Sequence, residues 1–478
     1  MKRGRDTRAC FLVLLLTGVL FFGAGSTVLS GKEIAEPSQP EAGKVVQLEQ
    51  LLERALKANR FLRQNALQVL GSQYTRQSAE SDFDWKLFPS ADIGVTRSNT
   101  VTEQTRGLSG KISKKNSLGI EVSVTPSIWY RENSGSTTGV AASLSVPLLR
   151  GFGKEYTLDT LYAAQYAIDT STRTMYISQV QIILDTVNLV YEIIKQRGFI
   201  DLYSLQEKRL QGHVATAGIM ETSGLSTPID TYRASLGLHD VQQQLSVARE
   251  KYLASLERLK NLLAYPPDEY LEIDAPLTFT PTTIAEDKAI AIALDNRIEL
   301  EQSKADLDEA ARKSRVAEKG LLPDLKLVAS YHNNYLSDDF SDFSSDSDEF
   351  WSIGISSSTD FSRTREKAAF QQSLLEVRKK KLQYQSREDE ILSEVKKQLD
   401  ALHKGEQRIR IRKEQIVQAK GKMRLAEIKF SHGMGNNFDL IESETELQGA
   451  ETNLLTEKSN YIVGQYRLRA ALGTLIAR

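Results

Sequence analysis

The chain has 478 residues, 26% of them charged, and a formal net charge of -1. Nothing in that balance is basic enough to argue for nucleic acid, and the single cysteine, Cys10, excludes a disulfide framework. With only 11 prolines and 29 glycines, the long Leu/Ala/Glu/Lys/Gln/Arg tracts favour extended helices over the roughly three ordinary domains that such a length suggests.

Lys2, Arg3, Arg5 and Arg8 precede an apolar core at residues 11–22, followed by the small residues Ala24, Gly25 and Ser26. This is the layout of a secretory signal peptide over residues 1–26, which sends the mature chain out of the cytoplasm. Cys10 leaves with it, so no thiol chemistry remains, and losing four basic residues and Asp6 makes the mature chain about three units more negative. As a membrane anchor the run is short of the roughly 20 residues a spanning helix needs. No later stretch reads as a transmembrane helix, so membrane entry would require a β-barrel, the other way to satisfy backbone groups in lipid.

A helical pattern runs over residues 48–83, with Leu51, Leu52, Ala55, Leu62, Ala66, Leu67 and Leu70 on related faces. Its counterpart runs over residues 284–320; Asn59-Arg60 and Asn296-Arg297 hold similar places, and Pro89 and Pro323 are read as stopping the two helices. Alternating segments follow within residues 90–149 and 324–360: Ile93 and Val95; Leu118, Ile120, Val122 and Val124; Val140, Ala142, Leu144, Val146 and Leu148; Leu325, Leu327, Ala329 and Tyr331; Trp351, Ile353 and Ile355. Each reads as a strand with one greasy and one wet face, which suits either a sandwich or a barrel. Residues 107–113 are a candidate extra strand, pairing with residues 118–124 across a Lys114-Lys115-Asn116 turn.

Each strand region leads into a long helical run, residues 154–222 and 363–431, and roughly 70 residues of helix make a rod of about 100 Å. A seven-residue series holds Val395, Leu402, Ile409, Ile416, Met423 and Phe430 in the second rod, and Leu161, Ile168, Met175, Ile182 and Leu189 in the first. Such spacing wraps helices in a left-handed coiled coil. Turns containing Gly224 and Gly433 then open helices over residues 228–264 and 437–475. A constant shift of 209 residues superposes the two copies, pairing Asp230 with Asp439, Leu245 with Leu454, Tyr252 with Tyr461, Leu259 with Leu468 and Leu263 with Leu472. The chain therefore reads as a first structural repeat over residues 27–265, a proline-bearing linker over 266–283, and a second repeat over 284–478.

This order, together with Asn296-Arg297, Leu321-Leu322-Pro323-Asp324-Leu325, the junction Val146-Pro147-Leu148-Leu149-Arg150-Gly151-Phe152-Gly153 and the two turn-helix copies, resembles the TolC-like outer-membrane efflux proteins. The resemblance implies an α+β membrane protein, a long α-helical coiled-coil barrel continuous with an antiparallel transmembrane β-barrel. Three protomers share that barrel, each giving four strands, in a homotrimer. It further implies a channel-tunnel of a tripartite efflux or type I secretion system, with its barrel in outer-membrane lipid and its helices in the periplasm. Its partners are then a periplasmic adaptor protein and an inner-membrane transporter. Two departures are visible: the first strand region is longer than the second, and the junction at residues 358–365 lacks the proline found at Pro147.

On the same resemblance, Gly224, Leu225 and Ser226, with Gly433, Met434 and Gly435, are tip turns that meet the adaptor; the bland alternative is two plain turns. Asp230, Arg233, Asp439 and Glu442 form the candidate periplasmic gate. Asp439 and Glu442 share a helix face, and triplication would make acidic rings. Arg233 stands where the other copy has Glu442, so an acid-base link between hairpins is a candidate latch. Against this, Asp230 and Asp439 suit simple helix caps. The acidic loop at residues 337–349 lacks the glycine and spacing of an EF-hand, the five histidines are dispersed, and no Ser, His and Asp set suggests a triad. Enzyme, cofactor and metal site are all expected to be absent. The competing class is a secreted structural coiled-coil stalk or surface fibre.

Overall fold

A computed structural model describes residues 45–97, 102–132, 135–224, 226–337, 347–432 and 434–477; the signal-peptide reading, Leu225, Gly433 and most of the acidic loop lie outside them. The first described element is a short strand, β1 (Val45–Gln47), followed by α1 (Leu48–Ala58) and α2 (Arg60–Glu80). One helix was expected over residues 48–83, but the chain breaks at Asn59, which holds ψ at 127°. Its side chain accepts the Leu62 N–H at 3.1 Å and donates to the Leu262 carbonyl at 2.8 Å. Asparagine satisfies backbone groups locally at a helix start, which is why the break forms there. In the second half α6 (Glu286–Asn296) and α7 (Ile298–Gly320) break in the same way at Arg297, with ψ at 116°. There a guanidinium replaces the amide, reaching Glu299 and Glu394 at 2.9 Å each and the Ala471 carbonyl at 3.3 Å.

Six strands make one sheet: β2 (Lys86–Arg97), β3 (Thr102–Lys115), β4 (Glu121–Arg131), β5 (Gly135–Pro147), β7 (Leu325–Ser337) and β8 (Ser347–Ser357). They pair in that order, every pair antiparallel. Pro89 does not stop the preceding helix; the helical turn ends at Phe83, and Pro89 lies inside β2. An edge strand tolerates a residue without an N–H. The extra strand at residues 107–113 is present within β3, although its partner β4 begins at Glu121 and the turn between them is longer than expected. The chain thus supplies six strands where the resemblance implied four.

A second, two-stranded sheet pairs β1 in parallel with β6 (Glu272–Asp274). Residues 266–283 are therefore more than an extended linker, for Leu271, Ile273 and Ala275 are buried in a core with Leu48, Leu51, Ile193, Leu259 and Leu263.

The helical body consists of two antiparallel hairpins. A one-turn α3 (Lys154–Thr157) precedes α4 (Asp159–Thr222), which turns into α5 (Pro228–Leu262); α8 (Thr364–Ser431) turns into α9 (Asn437–Ala471). With 64 and 68 residues, α4 and α8 are each about 100 Å long. The seven-residue series is a packed seam only in part. Val395, Leu402 and Ile409 are buried, whereas Ile416, Met423 and Phe430 are half-buried toward the tip. Contrary to the sequence reading, α4 carries a window apolar enough to cross a membrane. Its Ile182, Ile183, Val187, Val190 and Ile193 are spent instead on the core shared with α1, α5 and α9.

Candidate functional site: the sheet faces, the junctions and the hairpin tips

In a sheet with this register, residues directly opposite one another point to the same side. Starting from Ile112 in β3, the row passes through Val124 and Ala142 to Tyr331 and Trp351. A second row joins Val122, Leu144, Ala329 and Ile353. One face is thus apolar on all six strands, and Leu87, Ile93, Val95, Leu108, Val122, Val140, Ile353 and Ile355 are exposed on it. On the opposite face the row Ser113, Ser123, Ser143, Ser330 and Ser352 crosses five strands. Hydroxyls within it bond at 2.8 Å between Ser123 and Ser143 and at 2.7 Å between Ser330 and Ser352. Trp129 and Tyr130 lie near the end of β4, whereas Tyr331 and Trp351 share the row of Val124. Gly107 stands opposite Trp129, and a Cβ there would lie 2.4 Å from the indole, so only glycine admits the ring.

Both sheet-to-helix junctions bend through a residue in the left-handed region. In the first half Gly151 and Gly153 have φ of 89° and 99°; in the second, Arg363 has φ of 49°. Its guanidinium bonds to the Leu321 carbonyl, a tie that holds a non-glycine residue in a conformation it seldom adopts. Gly119, in the β3–β4 turn, packs against the same place: a Cβ there would lie 2.5 Å from the Gly151 carbonyl oxygen.

At the far end of the hairpins, Gly224 turns the chain with φ of 73°. Asp230 closes a capping box, its carboxylate accepting from the Thr227 N–H at 3.3 Å and hydroxyl at 2.8 Å. In the second turn Asn436 caps α9 by accepting the Asp439 N–H at 2.9 Å. Capping at that turn therefore falls to Asn436, while the Asp439 carboxylate stands exposed. Met434 is exposed, and Gly435 is tight against the Lys429 and Phe430 backbone. Ser226 is half-buried.

The structure brings the two tips together, but through different residues from those read in the sequence. Asn437, buried, donates from its side chain to the Asp230 carbonyl at 2.8 Å. Arg233 lies 5.6 Å from the centre of the Phe438 ring and 3.8 Å from the Asp230 carboxylate. Glu442 pairs instead with Lys422 at 3.1 Å, and Lys422 also meets Glu446 at 2.8 Å; those two carboxylates raise the Lys422 pKa. Within one chain the Arg233 to Glu442 link does not form. Further along, Glu444 is fully buried between α9 and α4, 3.0 Å from Arg209 and 3.6 Å from His213. Neither Asn437 nor Glu444 was read as a site residue; the signal was a polar residue at a position where the helical period demands an apolar one. Among the described residues, no His, Cys, Asp and Glu cluster lies within reach of a shared metal ion.

The profile of the family described as Outer membrane efflux protein matches residues 289–474. Over nearly the whole chain the fold is similar to solved outer-membrane channels. The outer-membrane channel OprN matches with a TM-score of 0.71 at 16% identity, over 89% of this chain and 90% of its own. VceC from Vibrio cholerae matches with 0.70 at 16%, over 89% and 96%, and CmeC from Campylobacter jejuni with 0.70 at 16%, over 92% and 91%. No curated protein matches by sequence. The resemblance to TolC-like outer-membrane efflux proteins thus holds at two levels, in the sequence of the second half and in the fold of a helical tunnel with a sheet domain.

Proposed function

We propose that the protein is the outer-membrane channel-tunnel of a tripartite efflux or type I secretion system, a passive duct with no chemistry of its own. The observation that carries this reading is the six-strand sheet, greasy on one face and hydroxyl-rich on the other, joined at both junctions to helical hairpins about 100 Å long. Three copies close the sheet into a barrel, apolar face to lipid and serine face to water. The helices carry the lumen on through the periplasm, and the half-exposed seam of α8 is covered by a neighbouring copy. The two halves of the chain are repeats of one unit, in support of which Leu259 and Leu468, and Leu263 and Leu472, are buried 209 residues apart.

In this reading the tips are the regulated entrance. Gly224, Leu225, Ser226, Gly433, Met434 and Gly435 meet a periplasmic adaptor, which brings the inner-membrane transporter that supplies the energy. Asp230, Arg233, Asp439 and Glu442 line the gate, and opening is an untwisting of the hairpins biased by adaptor contact. A secreted stalk is disfavoured because, among the described residues, nothing covers the apolar face of the sheet: Ile93 is 85% exposed. Cell fractionation tests the reading, with outer-membrane residence and a heat-modifiable trimer expected. A fully soluble protein released without detergent would overturn it.

A further inference from the structure

We propose that all six strands stand in the membrane wall, so that three copies close a barrel of three times six, 18 strands, whose wide, polar lumen admits bulky, hydrated solutes. This rests on the trimeric-channel reading and fixes the size class of what passes.

Four observations place β2 and β3 in the wall beside the other strands. Their pairing is continuous: β2 matches β3 over twelve consecutive residues, and β3 matches β4 on both sides of Pro126. Their apolar residues Leu87, Ile93, Val95, Leu108 and Ile112 lie on the face that carries Val122, Leu144 and Ile353. A hairpin packed elsewhere on the protein would have no use for that alignment. The six strands have 11 to 14 residues, enough for the roughly 9–11 that a tilted strand needs to cross a bilayer. Finally, the base of the hairpin is fixed. The Asn116 side chain accepts the Leu118 and Ile120 N–H groups at 2.9 and 3.0 Å, and Gly119 wedges against Gly151 at the first junction.

The edges say what completes the sheet. Strand directions alternate, so β2 and β8 run antiparallel, and among the described residues neither has a strand on its outer edge. Apolar residues on them are the most exposed of the face, Ile93 and Val95 at 85% and 67% and Ile353 and Ile355 at 66% and 68%, against 37% for Val124 and 38% for Leu144 inside. That gradient is what a missing neighbouring strand leaves, and an edge of this kind is stable only when paired. The occupant with matching length, direction and pattern is the opposite edge of a second copy.

Strands about 4.8 Å apart and tilted about 40° each take about 6.3 Å of circumference, so 18 of them enclose a backbone diameter of about 36 Å. A wall without β2 and β3 would come to about 24 Å. On the inner face short hydroxyl side chains keep most of the larger width open, and charged residues share that face, Lys86 extending the serine row onto β2 with Asp92 and Lys111 beside it.

The test uses the full-length protein, in a background carrying C10S, with single cysteines at Ile93, Ile353 and Ser109 and a membrane-impermeant maleimide on the assembled trimer. Ile93→Cys and Ile353→Cys are expected to label at least about tenfold more slowly than Ser109→Cys, because lipid covers one face and water the other. If Ile93→Cys labels as fast as Ser109→Cys while Ile353→Cys stays protected, the hairpin is outside the wall: this inference falls and the channel reading stands. Rapid labelling of Ile353→Cys as well sinks both. On the unaltered channel, neutral polymers of about 20 Å hydrated diameter added from the outer side should enter and lower the conductance; a cut-off near 12 Å overturns the wider barrel.

Discussion

Individual side chains at the tips cap helices, bridge the two hairpins and carry exposed charge. Glu442 is held by Lys422, so in the proposed gate the exposed Asp439 carboxylate is the one expected to act more on permeating ions. Replacing both by Ala should lower cation preference in single-channel recordings, with Asp439→Ala alone giving most of the loss; an unaltered preference removes them as a filter. Asn437 spans the two tips, and truncating a buried donor costs about 1–3 kcal/mol. Asn437→Ala and Arg233→Ala should therefore each raise the resting conductance, and currents equal to the parent's would exclude a latch at this point. Higher up the body, Asp306 receives the Tyr166 hydroxyl at 2.5 Å and the Lys380 ammonium at 3.0 Å. Burial pushes the Asp306 carboxyl up, but the bonds from Tyr166, Lys380 and Gln302 outweigh it and hold the pKa below the ordinary value. Burial, with the Asp306 contact next, pushes the Tyr166 phenol up to about 12. A lowered carboxyl stabilises the fold above its unfolded value of about 3.9 and loses that contribution as the pH falls through the lowered one. Asp306→Asn should flatten that acid limb in a thermal melt recorded against pH; a limb parallel to the parent's would show that this carboxylate is not linked to folding.

The elements show which parts of the architecture are legible in one sequence. Strand faces follow from alternation, since a period of two leaves no freedom about which residue is wet. The turn at Gly224, and the helices α5 and α9, follow from local chemistry and the internal echo. The breaks at Asn59 and Arg297 follow only in part, because the local cap at Asn59 is joined by distant partners, the Leu262 carbonyl there and Glu394 with the Ala471 carbonyl at Arg297. Pro89 misleads for a related reason: whether proline ends an element or sits in it depends on having an unpaired edge, which is a fact about the sheet. Arg363 is the least legible, a left-handed residue with no glycine to announce it. Gly119 offers a test at this scale. A methyl group at φ of 93° and 2.5 Å from the Gly151 oxygen should destabilise the junction by about 1–3 kcal/mol. Gly119→Ala should lower the thermal midpoint of the assembled protein, and an unmoved midpoint would mean the turn relaxes freely.

At the scale of the whole molecule, neither the sheet nor the hairpins enclose a core of the usual kind. The main apolar clusters lie where α1, α4, α5, α9 and the strap at residues 271–275 meet, and where α6, α8 and α9 meet. Stability of the single chain is concentrated there, away from the apolar face of the sheet and the tips. Leu402→Ala, which hollows the second cluster, should cost about 2–5 kcal/mol and reduce the yield of folded protein, whereas Ile353→Asp should leave helix content intact and abolish membrane residence. Circular dichroism and fractionation separate the two; equal loss of helix in both would contradict this division.

The bare rims of β2 and β8 have a consequence for biogenesis. A single chain carries an oily ribbon with two sticky sides, which is also what seeds fibrils and tangled aggregates. In the proposed trimer each chain is a hazard to its neighbours until three have met, so the rate of maturation should climb steeply with the local supply of protomers, and overproduction without an escort should yield clumps before it yields pores.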